Sequence, residues 1–305
     1  MKKQIKPPHT DQHIIPNFYL KAWGDKSLIN SQTKEPFKRP HIWIYNKSDN
    51  TCDHYPTKTN FTKEDFYTLY DDAGERDLTI EHAFDKVEIA FSWIRDEKLL
   101  KNEILTEDEH AKVCLFMAKM HSRTESRLDH ISNMLNPVMD KMNDMIEFSK
   151  TATTEQLKAM SHISSSSNKT GSYTELKNTV ENPLTEIMVP FIDYEAEQLV
   201  KLDFAIYHTN ELNTFITSDN PCIWHDAEAY KRPPLYQSPA LIYDTIEIIL
   251  PISPTHCLML NRQGINGYID ISSEPDIVQA INRIIYSHSD KKFITNNDKF
   301  NKDVF

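Results

Sequence analysis

"IEIILPISPTHCLML", residues 246–260, decides how the chain is read. IEIIL and HCLML are short apolar runs separated by a stretch with two prolines, and prolines and turn residues punctuate strands. The same character begins upstream with "FAIYH" (204–208) and "TFIT" (214–217), set apart by Asn, Asp and Pro. "RPPLYQSPA" (232–240) is a long proline-bearing connection within this region. Downstream, "DIVQAINRIIY" (276–286) changes period and puts Ile277, Ala280, Ile281, Ile284 and Ile285 on one helix face.

Upstream of residue 204 the pattern is helical. "LTIEHAFDKVEIAFSWI" (78–94) repeats Ile80, Ala83, Phe84, Val87, Phe91 and Ile94 at helical spacing. "LTEDEHAK" (105–112) opens the next helix with a capping box, Thr106 and Glu109. Its stripe of Val113, Phe116, Met117 and Met120 resumes at Ile131, Met134, Leu135, Val138, Met142 and Met145, and Pro137 should kink or break it. "HISSSSNKTGS" (162–172) reads as a mobile loop. A further helix starts at Pro183 and is disturbed by Pro190. The opening "HTDQHIIPNFYLKAWGD" (9–25) is an extended lead and a short helix, with Pro16 in its first turn and Gly24 at its end. "HIWIYN" (41–46) alternates as a strand, and the polar stretch 47–63 reads as a loop.

Helices followed by a run of strands is the α+β pattern. The expected architecture is a predominantly helical domain with a small antiparallel sheet built mainly from the C-terminal third. It is read as a single domain over 1–305: a helical part over about 9–203, a strand-rich part over about 204–273 and a last helix over about 274–287.

Composition narrows the function. A net charge of −11 argues against binding nucleic acid through a broad basic surface. Only five glycines are present, and they write neither GxGxxG nor GxxxxGK[ST], so a glycine-cradled nucleotide site is not expected. Cys52, Cys114, Cys222 and Cys257 are scattered, with no CxxC pair. The basic start "MKKQIKPPHTDQ" lacks an apolar signal region, and no run of 18 apolar residues exists. The expectation is a cytoplasmic protein without a membrane partner, its thiols reduced.

Three polar intrusions single out a candidate site. Glu81 and Glu88, two helical turns apart, border the apolar face of their helix and could look into one cleft. Arg123, Thr124 and Arg127 fall in the gap of the next helix's stripe. An arginine there needs a carboxylate, because an unpaired buried guanidinium costs several kcal/mol; the two glutamates are natural partners for Arg127. The turn Ser218-Asp219-Asn220-Pro221 ends a strand, a rigid place for a functional group. Cys222 beside it has no activating partner and reads as a small buried thiol.

These stretches together resemble the domain of unknown function 4238 family. The match is carried by His13, Pro16, Tyr19 and Leu20 (H-x-x-P-x-x-Y-L), by "EDFY" at 64–67, and by Glu81 and Glu88 as an E-x6-E helix. Arg123-Thr124 resembles the family's Arg-Thr pair, with Glu125 standing where a proline is usual. "FITSDNP", "LPISP" and Asn282 complete the pattern over about residues 9–290. The resemblance implies one domain, with His13, the glutamates, Arg123 and Asp219 in a common constellation. The family carries no assigned activity.

Three functional readings follow. In the first the chain is a hydrolase. His13, Glu81, Glu88, Arg123 and Asp219 are catalytic; Tyr19, Arg127, Asn220 and Asn282 bind a small anionic or nucleic-acid substrate. Mg²⁺ or Mn²⁺ is held by His13, Glu88 and Asp219, and a bacterial toxin or antiphage role is compatible with such a site. A glycosidase-like use of the two glutamates belongs to the same reading. In the second, Arg123 and His130 form the R-x4–6-H pair of a helical ribonuclease. In the third the chain is a non-catalytic binding or regulatory protein, and the polar cluster is a structural network.

Overall fold

The computed structural model describes residues 10–70, 73–156, 158 and 173–298. The loop expected at 162–172 lies outside the described residues. Among the described residues there are thirteen strands: β1 (Asp11–His13), β2 (His41–Asn46), β3 (Cys52–Pro56), β4 (Thr62–Glu64), β5 (Leu69–Tyr70), β6 (Arg76–Asp77), β7 (Asp203–His208), β8 (Thr217–Ser218), β9 (Ile223–Asp226), β10 (Ile246–Ser253), β11 (His256–Asn261), β12 (Gly267–Asp270) and β13 (Lys292–Thr295). The helices are α1 (Asn17–Leu20), α2 (Thr79–Glu97), α3 (Glu107–Ser122), α4 (Glu125–Thr151), α5 (Tyr173–Glu181), α6 (Val189–Leu199) and α7 (Pro275–His288). The fold is predominantly helical, with smaller, largely antiparallel sheets formed mostly by C-terminal strands. No helix among the described residues is long and apolar enough to cross a membrane.

The chain forms two compact units, one of Met1–Thr124 with Asp193–Phe305, the other of Glu125–Ile192. The larger unit is organised by the β10–β11 hairpin. β10 is buried along nearly its whole length, so its sequence is apolar on both faces. The five-stranded sheet runs in the order β12-β7-β11-β10-β9, antiparallel except that edge strand β12 lies parallel to β7. A second sheet, β3-β2-β13-β8, joins N- and C-terminal strands. Between these strands and α7 lies a core that includes Phe215, Ile223, Ile249, Met259, Val278, Ile281 and Ile285. Burying one such side chain stabilises by about 1.5–3 kcal/mol.

On the helical side, α2 and α3 pack as a hairpin. Phe91 and Phe116 stack with ring centroids 3.7 Å apart, and Phe18 leans on both. α3 starts at the expected capping box: Thr106 Oγ1 accepts from the Glu109 N–H, and the Glu109 carboxylate accepts from the Thr106 N–H at 2.8 Å. In the smaller unit α4 runs unbroken through Pro137 and packs against α5. Near Pro183 and Pro190 the chain takes a π-helical turn, Leu184–Met188, before α6.

Some sequence expectations need correction. The polar stretch 47–63 is not all loop: residues 52–56 form β3, whose burial alternates along the strand in pairing with β2. Polar residues on both faces of an edge strand hide it from a hydrophobic pattern. Pro137 does not end its helix; the break falls at Arg123-Thr124, where α3 gives way to α4. A proline in a helix removes one backbone bond, and the turns on either side of α4 carry on. Glu125 is the first residue of α4, a position that favours either a proline or a carboxylate facing the helix dipole. This accounts for glutamate where proline is usual. "TFIT" is strand only at Thr217, continuing to Ser218. On α7 the buried residues are Val278, Ile281, Asn282 and Ile285, with Ile277 exposed.

Asn282 shows why a polar residue sits on that buried face. Its Oδ1 accepts from the Ile216 N–H and its Nδ2 donates to the Thr214 carbonyl, both at 2.9 Å. It supplies, with a side chain, the partners of the Ile216 N–H and the Thr214 carbonyl, while the Phe215 N–H between them donates to the Pro254 carbonyl. Asn282→Leu should therefore lower unfolding free energy by about 1–3 kcal/mol, the cost of orphaned buried groups. Denaturant unfolding measures it, and a wild-type midpoint would show that the clip is dispensable.

Candidate functional site

The N-terminal segment lies across the α2–α3 hairpin. β1 pairs antiparallel with β4, and the chain then turns into α1 at Pro16. Arg95 on α2 donates to the Phe18 carbonyl at 3.3 Å. Arg123, at the end of α3, donates to the His13 carbonyl. A cavity of about 630 Å³ opens between this segment and α2, and His13, Glu81, Glu88 and Arg123 are all among its lining residues.

Glu88 is the hub of a buried ion network. Its Oε1 accepts from Lys119 Nζ at 2.6 Å and from Arg123 Nη1 at 2.7 Å. Lys119 also donates to the Phe84 carbonyl at 2.9 Å. Arg123 Nε donates to the Tyr67 hydroxyl at 3.0 Å, and both cations lie over the Phe84 ring. Burial pushes the Glu88 carboxyl up, but the two cations together hold it below its ordinary value. Burial and the charge of Arg123 pull the Lys119 ammonium down to about 7. Burial raises Glu81, against Arg123, and Asp85 and Glu88 raise it further. Burial and Arg123 lower the His13 imidazole, against Glu88 and a hydrogen bond to the Lys58 backbone.

The structure places Asp219 in a different setting. Its two carboxylate oxygens accept from the N–H groups of Asp290, Lys291 and Lys292 at 2.7–2.8 Å, and its own N–H donates to the Lys292 carbonyl. Asp219 thus fixes the start of β13, and it is not part of the cavity lining. Asn220 Nδ2 donates to the His288 carbonyl at the end of α7. Tyr19 is fully buried; its hydroxyl donates to the Pro251 carbonyl at 2.5 Å and meets Thr217 Oγ1 at 2.7 Å. Arg127 stands on α4 in the smaller unit, and the two cations bonded to Glu88 Oε1 are Lys119 and Arg123. Cys222 is buried, and burial raises its thiol well above the ordinary value.

These placements correct the metal-dependent hydrolase reading. Among the described residues no group of three or more His, Cys, Asp or Glu is gathered as a metal ion would require. Asp219 is spent on backbone amides away from the cavity, and the Glu88 oxygen that would act is bridged by two internal cations. The nuclease reading falls as well, because the Arg123 guanidinium is buried and bonded to Glu88, Tyr67 and the His13 carbonyl. The toxin and antiphage role rested on that enzyme-like site and loses its basis.

Two members of the network were not picked out as site residues from the sequence. Lys119 precedes Arg123 by one helical turn, and that spacing puts two cations on one face. Tyr67 lay inside the EDFY stretch. A further pair, half-buried His121 with buried Glu195 at 2.9 Å, packs the imidazole flat on Trp224 and had no sequence signal. Comparison with known proteins adds one finding. No curated protein and no solved structure matches the chain. The pattern of one family, described as "Protein of unknown function (DUF4238)", matches residues 11–300, and the chain belongs to that family.

Proposed function

We propose that the chain is a non-catalytic binding or regulatory protein whose buried polar groups are architectural. One observation carries this reading: the motif side chains are committed to main-chain groups from distant parts of the chain. Tyr19 holds Pro251, Arg123 holds His13, Asp219 holds residues 290–292, Asn220 holds His288, and Asn282 holds Thr214 and Ile216. Such bonds weld an N-terminal segment, a helical hairpin and two sheets into one body. Groups held this way are poor candidates for moving protons or gripping a substrate, because each bond to a ligand would break one in the fold.

Tyr19→Phe and Asp219→Ala test the reading by denaturant unfolding. The first strips a donor from the buried Pro251 carbonyl; the second strips the acceptor from three backbone amides. Each should cost about 1–3 kcal/mol. Active-site groups commonly trade stability for chemistry, so wild-type midpoints in both variants would overturn the architectural role.

A further inference from the structure

The groove between α1 and α2 has a composition that the buried network does not use up. Of its carboxylates, Glu88 is bridged internally, Asp96 pairs with Arg95 and Glu97 pairs with Lys101. Glu81 and Asp85 have no hydrogen bond or ion pair among the described residues, and Glu81 is half-buried. Burial and the neighbouring carboxylates disfavour its charge. An incoming cation would reverse that.

Two further observations are independent of the acidic side chains. His13 Nε2 and Asn17 Oδ1 belong to residues lining the same groove, and both atoms are buried without a hydrogen-bond partner. The His13 ring already bonds the Lys58 backbone, and burial favours its neutral form. Its second nitrogen is then an acceptor, as Asn17 Oδ1 is. Each of these two acceptors would take a hydrogen bond from an incoming N–H donor. Along its outer rim α2 exposes two large apolar side chains a turn apart, Ile89 at 71% and Trp93 at 55%. A bare ammonium would have no use for them. A chain segment alternating cationic and apolar side chains would use both halves of the surface.

We infer that this groove docks a basic, amphipathic segment of a partner protein, with a Lys or Arg side chain set between Glu81 and Asp85 and apolar side chains on Ile89 and Trp93. This rests on the binding-protein reading above and names the kind of partner. Lys21, the exposed cation on the opposite wall, leaves the carboxylate side of the groove to set the polarity. Arg123 at its base does not compete for the partner, because its guanidinium is occupied within the fold.

The test is calorimetric titration of the full chain with a short synthetic peptide bearing lysines and leucines, an all-lysine peptide of equal length, and spermine. The mixed peptide should bind, and its affinity should fall as salt rises. Glu81→Gln with Asp85→Asn, and separately Trp93→Ala, should each weaken it about tenfold, the equivalent of 1.4 kcal/mol. These residues lie outside the buried network, so the variants should melt as wild type does. No binding of the mixed peptide overturns the inference, as does binding that both variants leave unchanged. Equal binding of spermine or the all-lysine peptide, indifferent to Trp93→Ala, overturns it in favour of a purely cationic ligand. Tyr19→Phe and Asp219→Ala judge the architectural reading separately, so a failure here leaves that reading standing and the reverse is equally visible.

Discussion

Arg123→Ala should destabilise the protein by about 3–5 kcal/mol, the range for breaking one side of a buried ion pair. Arg123 is 2% exposed, and three separate acceptors depend on it: Glu88, the Tyr67 hydroxyl and the His13 carbonyl. Its loss leaves a hole beneath the Phe84 and Tyr67 rings and an unpaired carbonyl at the end of β1. Denaturant unfolding measures the change. Amide exchange should show residues 11–20 losing protection ahead of the β10–β11 hairpin, because the guanidinium ties that segment to α3. A change within about 0.5 kcal/mol of wild type, the scale of an ordinary surface substitution, would mean that the network holds nothing together. A companion variant separates charge from shape. Glu88→Leu, Lys119→Met and Arg123→Met together remove every ion while keeping bulk, and apolar replacements of buried ion clusters are often neutral or stabilising. The triple variant should be more stable than Arg123→Ala alone, and the difference measures the coupling within the cluster.

The parts of the fold legible in the sequence were those whose pattern one element carries by itself. α2 shows its periodicity from Ile80 to Ile94, α3 its capping box, and β10 and β11 their apolar runs. β3 and β13 were not legible. β3 is a polar edge strand, and "KFIT" at 292–295 is a four-residue strand that exists because β2 and β8 flank it. The candidate site was legible in the same partial way. A charge in an apolar stripe announces that it must find a partner, and Glu88 and Arg123 did find each other. The sequence could not say that Asp219 would be consumed by the backbone of 290–292, because the partner is three amides with no side-chain signature. Nor could it separate a polar residue that recognises a ligand from one that fastens the chain. Tyr19, Asn220 and Asn282 bond main-chain groups, and main-chain groups look alike at every position.

Lys119 should give the protein a stability that climbs with pH between about 7 and 9. Folded, its ammonium is pulled down to about 7 by burial and by Arg123, against the pull of Glu88 and Glu81; its ordinary value is 10.5. Across that interval the unfolded chain holds one proton more than the folded one, so unfolding free energy rises with pH by up to about 1.4 kcal/mol per unit. The gain is lost as pH falls toward 7, and below that both states carry the proton and the slope disappears. Two pH units give about 2–3 kcal/mol. The geometry tolerates the neutral amine, whose two N–H groups suffice for Glu88 at 2.6 Å and the Phe84 carbonyl at 2.9 Å. Other shifted groups act outside this window. Glu88 is held below 4.5 and His13 below 6.5, so their contributions are lost only on the acid side. Burial raises the Cys114 and Cys257 thiols above 9, so they stay protonated in the folded state throughout and oppose the climb only above that value. Unfolding of wild type and Lys119→Met across pH 7–9 isolates the lysine, since every other group is common to both. A steeper rise in wild type by about one proton is the expected result. Parallel curves would mean that the folded lysine keeps its charge, with Glu88 holding both cations as ions.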